Sequence, residues 1–234
     1  MRWLLLAFLL LAMRTAHSQD VRLLEAFDQV VFGTGLPWAR GAMLRIEERE
    51  VRIEVYGATA ERLTLLSALA AELSDMTGMA VQVAPADGPP QPLANPPPDL
   101  ALMQIHIVEP RHFPDLLAQS WIPRGIRSSH AQQLCSFVTR GRETIRGSLI
   151  LVNATMAEAT IRHCLVEETA QSFGAIDDTR LLDPSAFNDW GSLVDRLQPD
   201  DARILKALYD PRLHAGMARA EVLLLLPEIL GGQP

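Results

Sequence analysis

TMAEATIRHCLVEETAQSFGAIDD, residues Thr155 to Asp178, is the stretch whose reading decides the fold. Thr155 with Glu158 three residues later has the form of a capping box, in which hydroxyl and carboxylate each satisfy a free backbone N–H. Gly174 supplies the left-handed residue at which helices end, so the pattern predicts a helix over 156–173. At about 100° per residue, Glu167 and Gln171 lie about 40° apart with Glu168 beside them. Ile161, Leu165, Val166, Ala170 and Phe173 take the rest of the circumference. The helix therefore carries one polar stripe and is otherwise built to be buried.

That stripe resembles the zinc helix of the metzincin peptidases, HExxHxxGxxH, in which two histidines one turn apart and a third beyond a glycine hold the metal and the glutamate polarises a water. The pattern falls on Glu167, Glu168, Gln171, Gly174 and Asp177. The glutamate (Glu168) and the glycine match; the three ligand positions have become carboxylate, carboxamide and carboxylate. Zinc favours nitrogen and sulfur donors, so Glu167, Gln171 and Asp177 imply no zinc and, at most, a hard cation such as calcium, magnesium or manganese. Polar residues at i and i+4 also occur on any solvated helix face, where they bind nothing.

The sequence beyond the helix extends the likeness. Matrix-type metzincins continue to a tight SxM turn and then a helix opening L-x-x-D and ending near L-Y; here Ser185-Ala186-Phe187 is followed by LQPDDARILKALYDPRL from Leu197 to Leu213. Phe187 stands where the methionine would be, under the site. More closely, CLVEETAQSFG, SAFND and ALYDPRLHAGM resemble a proteobacterial family of secreted proteins, domain of unknown function 2927. The resemblance spans most of the chain and implies a zincin-like α+β fold, a mixed twisted sheet packed on helices with a degenerate active-site helix at its centre and a helical C-terminal part. It implies no activity.

Arg2, the apolar run from Trp3 to Met13 and the small-x-small Ala16-His17-Ser18 read as a secretion signal over 1–18, cleaved near Ser18; the run is too short for a membrane anchor. Removing 18 residues from 234 leaves 216 for a single domain over 19–234. A formal net charge of −7 and the lack of a basic run or phosphate-cradling glycine loop disfavour nucleic acid and anionic membranes as partners. The expected location is periplasmic or secreted, with no membrane insertion of the mature chain. Cys135 and Cys164 form an even pair in a chain bound for an oxidising compartment, which favours a disulfide over two buried thiols.

Helical spacing is legible over 19–32, 63–76 and 217–230, and around Ile204 to Leu208 after Pro199. Alternation marks strands at 51–55 and 81–84, joined by a crossover that makes them parallel. Pro85 to Asp99 holds seven prolines and reads as a stiff surface loop before a strand at 100–105. His106 and His112 read as turn or surface histidines. Leu134–Thr139 and Ile145–Val152 read as a hairpin feeding the central helix. In zincins such an edge pairs with extended substrate, so the resemblance leaves it open for β-augmentation; Arg140, Arg142 and Arg146 beside it would equally discourage edge aggregation.

Three functions are compatible with these residues: a non-catalytic protein binding a peptide or envelope partner; a hydrolase with Glu168 as general base and Glu167 and Asp177 orienting water or metal; and a buried hydrogen-bond network with no ligand. No cofactor is expected.

Overall fold

The computed structural model describes residues 21–33, 41–88, 93 and 95–232. The expected signal sequence and part of the proline-rich loop lie outside them. The elements are α1 (21–32), β1 (Glu50–Tyr56), α2 (Ala60–Thr77), β2 (Ala80–Ala86), β3 (Leu100–Val108), α3 (Phe113–Leu117), α4 (Arg124–His130), β4 (Cys135–Arg140), β5 (Gly147–Asn153), α5 (Glu158–Gln171), α6 (Pro199–Leu208) and α7 (Arg219–Gly231). This is an α+β chain with a five-stranded mixed sheet in the order β2-β1-β3-β5-β4. Only β4 runs antiparallel to its neighbour, pairing Cys135 with Val152 and Arg140 with Gly147.

The sheet order follows from local chemistry. Thr59 caps α2 by accepting from the Arg62 N–H at 3.3 Å, and Gly78, at φ 74°, closes it, so β1-α2-β2 is the parallel crossover the spacing predicts. Strand β2 runs two residues into the proline-rich stretch and contains Pro85, which an edge strand tolerates because its N–H has no ladder to serve. One sheet face meets α2 and α5 in a core that includes Leu66, Leu73, Ile53, Met103, Ile150 and Leu165. A smaller cluster on the other face joins Phe113 and Leu117 of α3 to Val138, Leu149 and Leu151. No helix among the described residues is long and apolar enough to cross a membrane.

Two expectations need correction, and two short helices were not anticipated. The central helix starts at Glu158, with Ala157 as its cap; the Thr155 N–H and hydroxyl both donate to Asn153 Oδ1, at 2.8 and 2.7 Å, and Glu158 instead pairs with Arg62 of α2 at 2.6 Å. A neighbouring acceptor thus outcompetes the capping box. His106 is no turn residue: it lies within β3, fully buried and stacked on Tyr56 with ring centroids 4.5 Å apart, and burial lowers its pKa to about 4. The short helices α3 and α4 carry too few apolar repeats to announce themselves in sequence.

Helix α5 stops where its glycine requires. Gly174 has φ 121°, and a Cβ there would lie 2.3 Å from the Leu44 carbonyl oxygen. Tyr209, just after α6, donates to the Phe173 carbonyl at 2.8 Å and accepts from the Ile46 N–H at 3.1 Å, tying the helix end to two distant segments.

Candidate functional site

The polar stripe of α5 is buried. Glu167, Glu168 and Gln171 are 2%, 5% and 4% exposed, so it is no solvated helix face. It borders a cavity of about 120 Å³, walled on the other side by Cys135, Ser136 and Phe137 of β4 and by His130 and Gln133 at the end of α4. The Cys135–Cys164 disulfide, spanning Cα atoms 6.0 Å apart, fastens strand to helix at this point.

Asp177 is not in the cavity wall. Its N–H donates to the Val30 carbonyl at 3.0 Å, and its carboxylate packs so closely on Gly33 that a Cβ there would sit 2.4 Å from Asp177 Oδ2. The next residue takes the place expected for it: Asp178 lines the cavity and accepts from Gln171 Nε2 at 2.7 Å. Asp189, exposed on the rim, and Glu167 complete a set of four carboxyls with Glu168 and Asp178, and neither arginine nor lysine lines the cavity among the described residues. His163, one turn before Glu167 on the same helix face, is 4% exposed; its Nε2 lies 3.6 Å from Glu167 Oε2 and its Nδ1 accepts from the Val194 N–H at 3.1 Å. His163, Asp178 and Asp189 are the participants sequence reasoning missed. The i−4 spacing of His163 from Glu167 was a usable signal for the first; the other two follow from the loop path.

Burial and mutual repulsion hold Glu167, Glu168 and Asp178 toward their protonated forms. Glu167 is raised far above the ordinary carboxylate range by burial first, then by the Glu168 charge, and it is hydrogen-bonded to Asp189 and Asp178, contacts that only a protonated carboxyl makes. Glu168 is raised by burial and then by Asp189 and Asp178. Asp178 is pushed up to about 7 by burial and the Asp189 and Asp177 charges, against opposing hydrogen bonds from Gln171 and Glu167.

The zinc arrangement does not fit these residues. Glu167, Gln171 and Asp177 do not converge, and the Gln171 amide is spent on Asp178. His163, Glu167 and Asp189 bring three donor atoms within 4.8 Å of one another, a set of one imidazole and two carboxyls that differs from the three positions the zinc pattern marks. Cys135 beside Glu167 and Glu168 offers no thiolate because it is in the disulfide.

The protonation state has a measurable sign. An acid whose folded pKa is raised contributes stability that is fully present below its unfolded value of about 4 and is lost as pH rises through the folded value. For Asp178 that window closes near about 7, and for Glu167 and Glu168 it extends higher. Glu168→Gln, a neutral isostere of the protonated acid, is expected to stay within about 1 kcal/mol of the parent near pH 5 and to exceed it in stability near pH 9, by denaturant titration at both pH values. A parent that remains the more stable at pH 9 contradicts this protonation.

The fold and the site together define an α+β protein with a buried acidic cavity disulfide-stapled to an edge strand. The chain belongs to the family described as protein of unknown function, DUF2927, whose profile matches residues 20–228. Comparison with curated proteins finds no match.

Proposed function

We propose that this is an exported, non-catalytic protein with a zincin-like framework, which binds an extended peptide of the cell envelope along β4, over the acidic cavity. The observation that carries the reading is the free edge of β4 beside that cavity. The Asn153 N–H donates to the Leu134 carbonyl at 3.0 Å, which makes Leu134 and Asn153 a hydrogen-bonded pair in register with the ladder. Alternation then directs the backbone groups of Ser136, Val138 and Arg140 to β5, and those of Cys135, Phe137 and Thr139 outward. No other strand pairs with β4 among the described residues. Exposed Leu134, at 60%, adds an apolar contact next to that edge.

Chemistry at Glu168 is disfavoured on two counts. A general base needs a pKa near the working pH, and Glu168 is held far above its ordinary value. Asp177, which would orient water or metal beside Glu168, lies outside the cavity wall, bonded through its N–H to Val30. Nor does the cluster serve stability alone, since burying raised carboxyls lowers stability at neutral pH; groups kept at such a cost are concentrated at functional sites.

Thr139→Pro tests the reading, because it removes one outward N–H and no bond to β5. With random octapeptides displayed for selection, the mature chain is expected to retain extended sequences, and Thr139→Pro to weaken them at least about tenfold at near-unchanged melting temperature. Retained binding in Thr139→Pro, or peptide cleavage that Glu168→Gln abolishes, overturns the proposal.

A further inference from the structure

Beyond Thr139 the edge strand leads to a second and larger pocket of about 950 Å³, walled by Trp121, Val138, Arg140, Arg142 and Arg146. In a chain of net charge −7, no acidic residue lines it among the described residues. Arg146 is steadied by Glu48 at 3.0 Å and by the Pro97 and Pro98 carbonyls at 3.0 and 3.2 Å, while the Arg140 guanidinium lies 5.9 Å from the centre of the Trp121 ring. No carboxylate pairs with Arg142 among the described residues.

We infer that this pocket receives the carboxylate side chains of the peptide paired on β4, so that the partner is a peptide acidic at one end of its extended segment and free of acids at the other. The inference rests on the β4 reading above and adds the partner's chemistry. Charge complementarity selects it. Guanidinium groups recognise carboxylates through paired N–H donors, and Arg142, exposed on the turn where β4 ends, is placed to meet one. The opposite end of the edge, over Cys135 to Phe137, faces a cavity whose buried carboxyls are held toward their neutral forms and, among the described residues, offers an acid no arginine or lysine to pair with.

Side-chain alternation separates the two pockets by face as well as along the strand. Cys135 and Phe137 share a face with α5, to which Cys135 is bonded, whereas Val138 packs with Phe113 and Leu149 on the other side of the sheet, and Arg140 shares that side. An added strand alternates in the same way, so its residues near Arg140 that point to the α3 side enter the arginine pocket. Those near Phe137 that point to the α5 side cover the acidic cavity. From Cys135 to Arg140 the edge spans about 17 Å at about 3.3 Å per residue, the length of a six-residue segment.

The test uses the same displayed octapeptides with the mature parent, Arg142→Gln and Arg140→Gln/Arg142→Gln. Sequences selected by the parent are expected to carry aspartate or glutamate clustered at one end. A selected acidic peptide, labelled for fluorescence anisotropy, is expected to bind Arg142→Gln about tenfold more weakly, to lose that difference at high salt, and to bind both proteins alike once its acids are changed to amides. The single variant guards against a folding defect in the double one. Selected peptides without clustered acids, or acidic peptides bound equally by parent and Arg142→Gln, overturn this inference while sensitivity to Thr139→Pro still upholds the β4 edge. A parent that retains no peptide overturns both.

Discussion

Asp201→Ala is expected to cost about 3–5 kcal/mol, measured by chemical denaturation, because a single buried carboxylate holds together the turn before α6. Asp201 is fully buried. It accepts from Ser185 Oγ at 2.6 Å, from the Ala186 N–H at 2.9 Å and from the Gln198 N–H at 2.8 Å, and the Ser185 hydroxyl in turn accepts from the Phe187 N–H at 2.9 Å. Alanine removes the acceptor of the Ser185 hydroxyl and of the Ala186 and Gln198 N–H groups, each worth about 1–3 kcal/mol when left buried and unsatisfied. Asp201→Asn keeps acceptor oxygen at one position and is expected to lose roughly half as much. A loss below about 1 kcal/mol in the alanine variant contradicts the assignment of the turn's rigidity to this residue.

Replacing both Cys135 and Cys164 by alanine is expected to lower stability by about 3–4 kcal/mol, the entropy recovered by an unfolded chain freed from a closure whose ends are 29 residues apart. For a chain of this size that corresponds to a fall in melting temperature on the order of 10 °C, and reductant applied to the parent should reproduce it. The effect reaches the site, because the bond joins β4, the antiparallel strand of the sheet, to the helix that carries the carboxyls. Peptide affinity in the double variant is expected to fall as well, since β4 is no longer fixed against α5. Equal melting temperatures for the oxidised and reduced parent contradict the stabilising role.

What could be read from the sequence divides along physical lines. Elements with a period to repeat were visible: Ile53 alternating with charged neighbours in β1, Leu66, Leu69 and Leu73 along α2, the strands of the hairpin. The Cys135–Cys164 pairing was visible because only two cysteines exist. The loop after α5 was not, because nothing periodic fixes its path. There the Val30 carbonyl and Gly33 capture Asp177, and the carboxyl at the cavity becomes Asp178. The same limit hid Asp189. Capping at Thr155 failed for a related reason, since Asn153 is two residues away and competes for both of its donors. That Glu167 and Glu168 lie inside the protein rather than on its surface depends on β4 and the end of α4 closing over them, a long-range packing event that no helical wheel contains.

The two edges of the sheet are unequal in a way that limits assembly. At one border Pro85 deprives β2 of an amide and the chain turns straight into further prolines, while at the other the outward groups of β4 stay available. If β4 takes up a strand as proposed, the β2 border, where Pro85 lacks an amide and the Val81 N–H is bonded to Ser74 Oγ, is the poorer of the two for a second strand. Pairing between two copies through β4 would use up both receptive borders at once. On the proposed reading, edge pairing through β4 ends at a one-to-one complex or a closed pair.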